Sequence, residues 1–136
     1  MKQDTQLRMV LGSDLSELEK VEQFVDQIVN SSNANEELTG SIMLLLSEAA
    51  TNGMIHGNKQ QPGKEVTLEA VIREGEILIT VTDQGDGFNP DDVPDPLAEQ
   101  NLLKTSGRGL YLMREYADDV QYNEKGNQLK LTFKRQ

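Results

Sequence analysis

A glutamate, an asparagine and a histidine follow one another at intervals of four residues in the segment SEAATNGMIHGN, residues 47–58. Side chains at this spacing share one face of an α-helix, so Glu48, Asn52 and His56 are predicted to point the same way. A carboxylate can accept the proton of an attacking hydroxyl. An amide oxygen is a neutral ligand that suits Mg2+ beside phosphate oxygens. Glu48 and Asn52 together could therefore form half of a phosphoryl-transfer site.

The same stripe could instead be the solvated face of an amphipathic helix, where polar residues usually lie. Two residues weaken that alternative, because asparagine is a poor helix former and Gly53 costs about 1 kcal/mol relative to alanine inside a helix. We therefore expect that helix stability is given up here for a function. His56 could be a structural residue at the helix end, so it is not predicted to take part in catalysis.

The segment TDQGDGF, residues 82–88, leaves a predicted buried strand and contains two glycines. Asp83 could accept a hydrogen bond from an exocyclic amine such as that of adenine. Gly85 and Gly87 permit backbone angles and close approaches that side chains prevent. A surface turn rich in aspartate and glycine is the alternative. A calcium loop is excluded, because glycines occupy two ligand positions and Phe88 stands where the loop glycine belongs.

The segment SGRGL, residues 106–110, places two glycines around an arginine where a helix is predicted to begin. Gly107 and Gly109 expose backbone N–H groups, and the N-terminal end of a helix dipole favours anions. Arg108 adds a positive charge and a forked donor for phosphate oxygens. An ordinary glycine-rich helix start is the alternative. Neither a P-loop nor a G-x-G-x-x-G pattern occurs in the chain.

Composition restricts the classes of function. The length of 136 residues corresponds to one domain, 1–136. No apolar run approaches the ~18 residues of a membrane-spanning helix, and the N-terminus is too polar for a secretory signal. The chain has no cysteine, which excludes disulfides and thiolate metal sites, so we expect a cytoplasmic protein. A net charge of -10 disfavours binding to nucleic acid or to an anionic membrane, so partners should be proteins or small molecules.

The hydrophobic periodicity predicts how these segments are positioned. The expected elements are a strand over 7–11, a helix from Asp14 with Glu17 completing its cap, a loop over 30–35, a helix from 36 to about 55, a hairpin over 66–81, a loop over 83–106, a helix from about 109 and a last hairpin turning at 125–127. This order predicts an α+β fold, a two-layer α/β sandwich with helices on one face of a mainly antiparallel sheet. The long loop is expected to be functional, as a lid over a ligand.

Taken in order, EAATNGMIHGN, DQGDGF and SGRGLYLM resemble the N, G1 and G2 boxes of the GHKL, or histidine-kinase-like, ATPase superfamily, which includes gyrase, histidine kinases and MutL. The short segment between the last two boxes and the chain length are similar to those of the bacterial anti-sigma factor serine/threonine kinases. The resemblance implies the Bergerat-type ATP-binding fold with a mixed sheet. It also implies an N box at 48–58, a G1 box at 83–87, an ATP lid at 88–106 and a G2 box at 107–110.

The resemblance further implies a role for each matched residue, with ATP and Mg2+ as cofactors. Glu48 matches the general base, Asn52 the Mg2+ ligand and Asp83 the residue that recognises the adenine amino group. The remaining matched positions contact the nucleotide or its phosphates, namely Gly85, Gly87, Gly107, Arg108 and Gly109. The implied protein is a homodimer that sequesters a sigma factor and phosphorylates a serine or threonine of an anti-sigma factor antagonist. The first helix and the opening strand are the expected dimer contacts.

Two other functions remain as alternatives. The chain could be a non-catalytic module that sequesters a sigma factor or another regulator, with nucleotide serving only to order the lid. It could also be the catalytic part of a sensor kinase that phosphorylates histidine. That alternative is less favoured, because no helix pair carrying an acceptor precedes the boxes and His56 lies inside one of them.

Overall fold

The computed structural model describes residues 4–85 and 113–135. Its elements are strand β1 (Thr5–Gly12), a 3-10 turn (Leu15–Leu18), helix α1 (Glu19–Ser32), helix α2 (Glu36–Asn52), a π-helical turn (Gly53–Gly57) and strands β2 (Glu65–Ile72), β3 (Glu76–Thr82), β4 (Asp119–Tyr122) and β5 (Gln128–Lys134). Residues 113–116 form a further helical turn. The predicted loop over 83–106 and the predicted helix start at 109 fall largely outside the described residues.

The five strands form one sheet in the order β1-β2-β3-β5-β4. Each of the four neighbouring pairs among these strands is antiparallel. The two predicted hairpins, β2–β3 and β4–β5, are both confirmed, and β5 lies between β3 and β4. In the second hairpin, the Asn123 side chain accepts hydrogen bonds from three backbone N–H groups of the turn, and Gly126 supplies the positive φ of 80°.

Alternate residues of the strands face the helices and form a single core with them. The buried members are Leu11, Val21, Phe24, Val25, Ile28, Ile42, Leu45, Leu46, Ala49, Ala50, Met54, Val66, Leu68, Ala70, Ile72, Ile77, Ile79, Val81, Met113, Leu129, Leu131 and Phe133. Period-two burial in the strands and three-to-four spacing in the helices are what a two-layer packing requires. The predicted α+β sandwich is therefore confirmed.

The first helix differs from the prediction at both ends. Asp14 caps a 3-10 turn and accepts from the Ser16 N–H, while the Glu17 carboxylate accepts from the Gly12 N–H at 3.0 Å instead of completing a capping box. Leu15 lies in this turn and is 41% exposed. At the other end α1 continues to Ser32, so it takes in three residues of the predicted 30–35 loop.

The end of the sheet opposite the sequence motifs is tied to α1 by the last described residue. The Arg135 guanidinium donates to the Ser32 carbonyl at 2.6 Å and also to the Arg73 carbonyl. A positive charge beside the last carbonyls of a helix is favourable. None of the helices within residues 4–85 and 113–135 has the length and apolar character that crossing a bilayer requires.

Candidate functional site

Glu48 and Asn52 lie in the last two turns of α2. The helix begins at the Asn35 cap, whose side chain accepts from the Leu38 N–H at 2.8 Å, and it buries Ile42 and its neighbours against the sheet. Both Glu48 and Asn52 are half-buried and lie beside the core instead of on a fully solvated face. Among residues 4–85 and 113–135, no hydrogen bond or ion pair to Glu48 is found. Its carboxylate is therefore not engaged in holding the described part of the fold together.

The α-helix does not continue to residue 55 as predicted, because it changes to a π-helical turn at Gly53. The Asn58 N–H donates to the Gly53 carbonyl at 2.8 Å, which is the five-residue spacing of a π-turn. The regular four-residue stripe therefore ends at Asn52. His56 is exposed, whereas Glu48 and Asn52 are half-buried. Single π-turns inside helices frequently occur at functional sites.

The amide oxygen of Asn52 is buried and has no hydrogen-bond partner among residues 4–85 and 113–135. A buried acceptor without a partner loses the free energy of its former hydrogen bond to water, so such groups are uncommon and call for an explanation. It lies at the C-terminal end of α2, where the helix dipole favours cations. An oxygen of this type fits an incoming donor or a Mg2+ ion that takes most of its other ligands from phosphates and water. No group of three or more His, Cys, Asp or Glu residues in the described ranges could hold a metal by itself.

Asp83 follows the last residue of β3 and lies against the π-turn. A β-carbon added at Gly57 would overlap the Asp83 carboxyl group, and one added at Gly53 would lie 3.5 Å from Asp83 Cβ. A β-carbon at Gly85 would overlap the Gly57 carbonyl. Gly85 is therefore required for close approach, and not for a positive φ. The structure thus brings Asp83 and Gly85 next to the turn that directly follows Asn52.

Burial raises the pKa of the Asp83 carboxyl above its ordinary value, against the lowering effects of a hydrogen bond and two lysines. The hydrogen bond is donated by the Gly85 N–H to Asp83 Oδ1 at 2.8 Å, and the lysines are Lys125 and Lys64. A desolvated carboxylate gains more from a hydrogen-bond donor than a solvated one does. Asp83 is therefore suited to accept a hydrogen bond from a ligand amine.

Two residues of the predicted N box, Gly57 and Asn58, were given no role of their own from the sequence. Gly57 provides the surface on which the Asp83 carboxyl rests. Asn58 is completely buried, and its side chain is hydrogen-bonded to residues that are far away in the sequence. Because those partners lie 45 and 26 positions away, no local pattern could have identified them.

Four of the predicted site residues, Gly87, Gly107, Arg108 and Gly109, lie outside the described residues. Their roles stay predictions. The four that are described fall into two neighbouring places, with Glu48 and Asn52 at the end of α2 and Asp83 and Gly85 after β3. The contacts of Asp83 with Gly53 and Gly57 connect these two places.

The chain is similar to known proteins over most of its length. Residues 11–133 match the family model described as the histidine kinase-like ATPase domain. The anti-sigma F factor of Clostridium perfringens (strain SM101 / Type A) is 40% identical over 103 residues, which are 74% of this chain and 73% of that protein. The anti-sigma F factor of Oceanobacillus iheyensis is 35% identical over 102 residues, which are 71% of this chain and 69% of that protein. The chain therefore belongs to the histidine kinase-like ATPase domain family.

Proposed function

We propose that this chain is an ATP-binding anti-sigma factor, which sequesters a sigma factor and phosphorylates a serine or threonine of an anti-sigma factor antagonist. The observation that carries the proposal is the buried Asn52 oxygen, which has no partner in the described part of the chain and lies one residue before the turn that contacts the Asp83 carboxyl. The proposed adenine-binding residue and the proposed cation ligand are therefore neighbours in the fold. The relatives are named anti-sigma F factors, and on this basis we propose a sigma factor as the partner.

Asp83 would bind the base of ATP. Its carboxylate already accepts the Gly85 N–H, and its remaining oxygen lone pairs can accept from the adenine amino group. Gly85, like Gly87 in the same predicted box, would let the backbone approach the nucleotide closely. The raised pKa of Asp83 means that lowering the pH would protonate this acceptor at a higher pH than for an ordinary aspartate.

Asn52 would hold Mg2+ together with the phosphates. The buried and unpaired amide oxygen fits one position in the coordination shell of such an ion. When bound, the ion would neutralise the charge that develops on the phosphate oxygens. Arg108, flanked by Gly107 and Gly109, is proposed to contact the phosphates, as the resemblance to the G2 box implies.

Glu48 would act as the general base. As the hydroxyl oxygen of the antagonist forms a bond to the γ-phosphorus, Glu48 would take up the hydroxyl proton, and the bond to the bridging oxygen would break to release ADP. A free carboxylate is needed for this step, and Glu48 makes no ion pair with any residue in 4–85 or 113–135. Most of the rate increase would come from positioning and from neutralising charge.

A protein partner, and not nucleic acid, suits the surface charge, because a net charge of -10 repels a phosphate backbone. We propose that the chain is a cytoplasmic homodimer with contacts through α1 and β1. In support, β1 is an edge strand whose outer side pairs with no other described strand, and such edges readily pair with a second chain. Sedimentation at micromolar concentration would test this, and a monomer mass would contradict it.

A non-catalytic binding module is the second candidate, and one observation favours it. A general base is usually held in place by a neighbouring group, yet no residue in the described ranges is hydrogen-bonded to Glu48. In that case nucleotide would only change how the partner is held. The two candidates differ in whether the γ-phosphoryl group leaves the nucleotide.

The deciding experiment uses proteins that co-purify with this chain from its own cells, identified by mass spectrometry with and without ADP. Each captured protein is then incubated with the chain and γ-labelled ATP. We expect acid-stable label, which is the behaviour of phosphoserine and phosphothreonine, on one small partner. Capture of a sigma factor without any label transfer would support the binding module, and acid-labile label would point to histidine instead.

A further inference from the structure

Asn58 is a polar side chain with no exposed surface, directly after the π-turn. Its Nδ2 donates to Ser13 Oγ at 2.9 Å and to the Glu65 carbonyl at 3.0 Å. Its Oδ1 accepts from the Gln84 N–H at 2.7 Å. Burying an amide is unfavourable unless its donors and acceptors are paired, and here both donors and the oxygen are paired. The side chain thus connects the ends of three strands.

The two hydrogen bonds that Asn58 Nδ2 donates stabilise the fold. Ser13 Oγ accepts a hydrogen bond from Asn58 Nδ2 and donates one to the Lys64 carbonyl at 2.8 Å. These bonds join the end of β1 to the start of β2, which are already paired at Gly12 and Glu65. These hydrogen bonds would stabilise any sheet of this kind, whether or not the protein binds a ligand.

The hydrogen bond that Asn58 Oδ1 accepts holds a peptide group of the candidate site. The Gln84 N–H belongs to the peptide group that joins Asp83 to Gln84, so the bond to Asn58 Oδ1 fixes the plane of that peptide. On the other side, the Asp83 N–H donates to the Asn127 carbonyl at 2.9 Å, and Asn127 Nδ2 donates to the Asp83 carbonyl at 3.3 Å. The bond to Asn58 is the shortest of the three and is made by the only completely buried partner.

We propose that Asn58 is a positioning residue for base recognition, which orients the Asp83 carboxylate toward an exocyclic amine by holding the Gln84 N–H. The inference rests on the proposed binding of adenine at Asp83. It adds that selectivity for a base with an amino group depends on a side chain that does not itself touch the nucleotide. A misplacement of Asp83 by a fraction of an ångström would weaken the bond to the amine and leave the phosphate contacts intact.

The test compares ADP with inosine diphosphate, in which a carbonyl oxygen replaces the adenine amino group. Dissociation constants for both are measured by calorimetry on the full chain. The wild type should prefer ADP, and Asn58→Ala should reduce that preference about fivefold, mainly through weaker ADP binding. The matched control is Ser13→Ala, which removes bonds from the donor side and leaves the bond from Gln84 in place. We expect Ser13→Ala to be less stable but to keep the preference.

A double-mutant cycle shows whether Asn58 acts through Asp83. In Asp83→Ala the preference for ADP should already be lost, and adding Asn58→Ala should not change the ratio of the two dissociation constants further. The variant Asn58→Asp provides a second test if the alanine variant does not fold. It keeps an oxygen for the Gln84 N–H, so it should retain the preference for ADP even though its added charge weakens both nucleotides.

The outcomes separate the inference from the proposed function. Equal weakening of ADP and inosine diphosphate in Asn58→Ala, or equal affinities in Asn58→Asp beside a selective wild type, would overturn the positioning role. If the wild type prefers ADP, the proposed function therefore stands even when the positioning role of Asn58 is overturned. If the wild type binds neither nucleotide, the proposed function itself is wrong and the inference falls with it.

Discussion

The two parts of the candidate site differ in how completely their polar groups are paired. At the proposed base end, formed by Asn58, Asp83 and Gly85, the buried amide and the carboxylate are hydrogen-bonded to neighbours. At the proposed phosphate end, formed by Glu48 and Asn52, neither the amide oxygen nor the carboxylate has a hydrogen-bond partner among the described residues. The polar groups of the proposed base end are thus held in place before a ligand binds, whereas those of the proposed phosphate end would gain their partners from the ligand.

The largest expected effect concerns the phosphate end. Glu48→Gln keeps the size of the side chain but cannot take up a proton, so phosphoryl transfer to the antagonist should fall by about 100- to 10,000-fold. ADP affinity should change little, because the carboxylate supports no contact of the described fold. Transfer is measured in single turnovers with saturating ATP. Unchanged transfer would show that Glu48 is not the base.

The next effect concerns the base end. Gly57→Ala places a methyl group on the Asp83 carboxyl, so ADP affinity should drop at least tenfold and the free energy of unfolding by about 1–3 kcal/mol. The control is Gly40→Ala in α2, where the added carbon meets no atom within 4 Å. That change should stabilise the helix by about 1 kcal/mol and leave ADP binding unchanged. Equal ADP affinity in both variants would contradict the contact.

Asp83→Asn should separate stability from binding. Because burial raises the pKa of Asp83 in the folded chain, the carboxyl stabilises the fold most below its unfolded value of 3.8. This contribution is lost as the pH rises through the interval up to the folded pKa. At neutral pH the asparagine variant should therefore be at least as stable as the wild type, and it should lose this advantage on acidification.

The same variant should bind ADP more weakly, since its amide oxygen accepts the Gly85 N–H and its NH2 would face the adenine amine. Chemical denaturation from pH ~4 to ~7, together with calorimetry, measures both effects. A variant that is less stable than the wild type at neutral pH would show that Asp83 is favourably charged in the fold.

The smallest effect on the site is expected from the far end of the sheet. Arg135→Ala removes the bonds to the Ser32 and Arg73 carbonyls, so the free energy of unfolding should fall by about 1–2 kcal/mol. Because these bonds lie at the opposite end from Asp83, ADP affinity and base selectivity should be the same as in the wild type. A change in selectivity would mean that the two ends of the sheet are coupled.

The fold was predictable because its signals are local. Alternation in β2 and β3 and the apolar spacing of α2 determine which faces are buried, and these predictions are confirmed. The π-turn at Gly53 was not predictable, because a glycine inside a helix indicates weakness but not which hydrogen-bond spacing replaces the regular one.

The site was predictable only in part, for a related reason. Glu48, Asn52 and Asp83 were predicted because their residue types carry chemistry at helical spacing or at a strand end, and their roles stay predictions. Asn58 lies in the predicted N box, but no role was predicted for it, because the function of a buried amide depends on partners that the fold brings together. A role that depends on contacts between residues far apart in the sequence thus becomes visible only in the structure.

The most direct test of the difference between the two ends is a calorimetric titration with ADP, with and without Mg2+, of the wild type and of Asn52→Leu. The substitution removes the partnerless buried oxygen and inserts a good helix former, so it should not lower the free energy of unfolding. We predict that Mg2+ strengthens ADP binding to the wild type and has no such effect on Asn52→Leu. An equal effect of Mg2+ on both proteins would contradict the assignment of the phosphate end to this helix terminus.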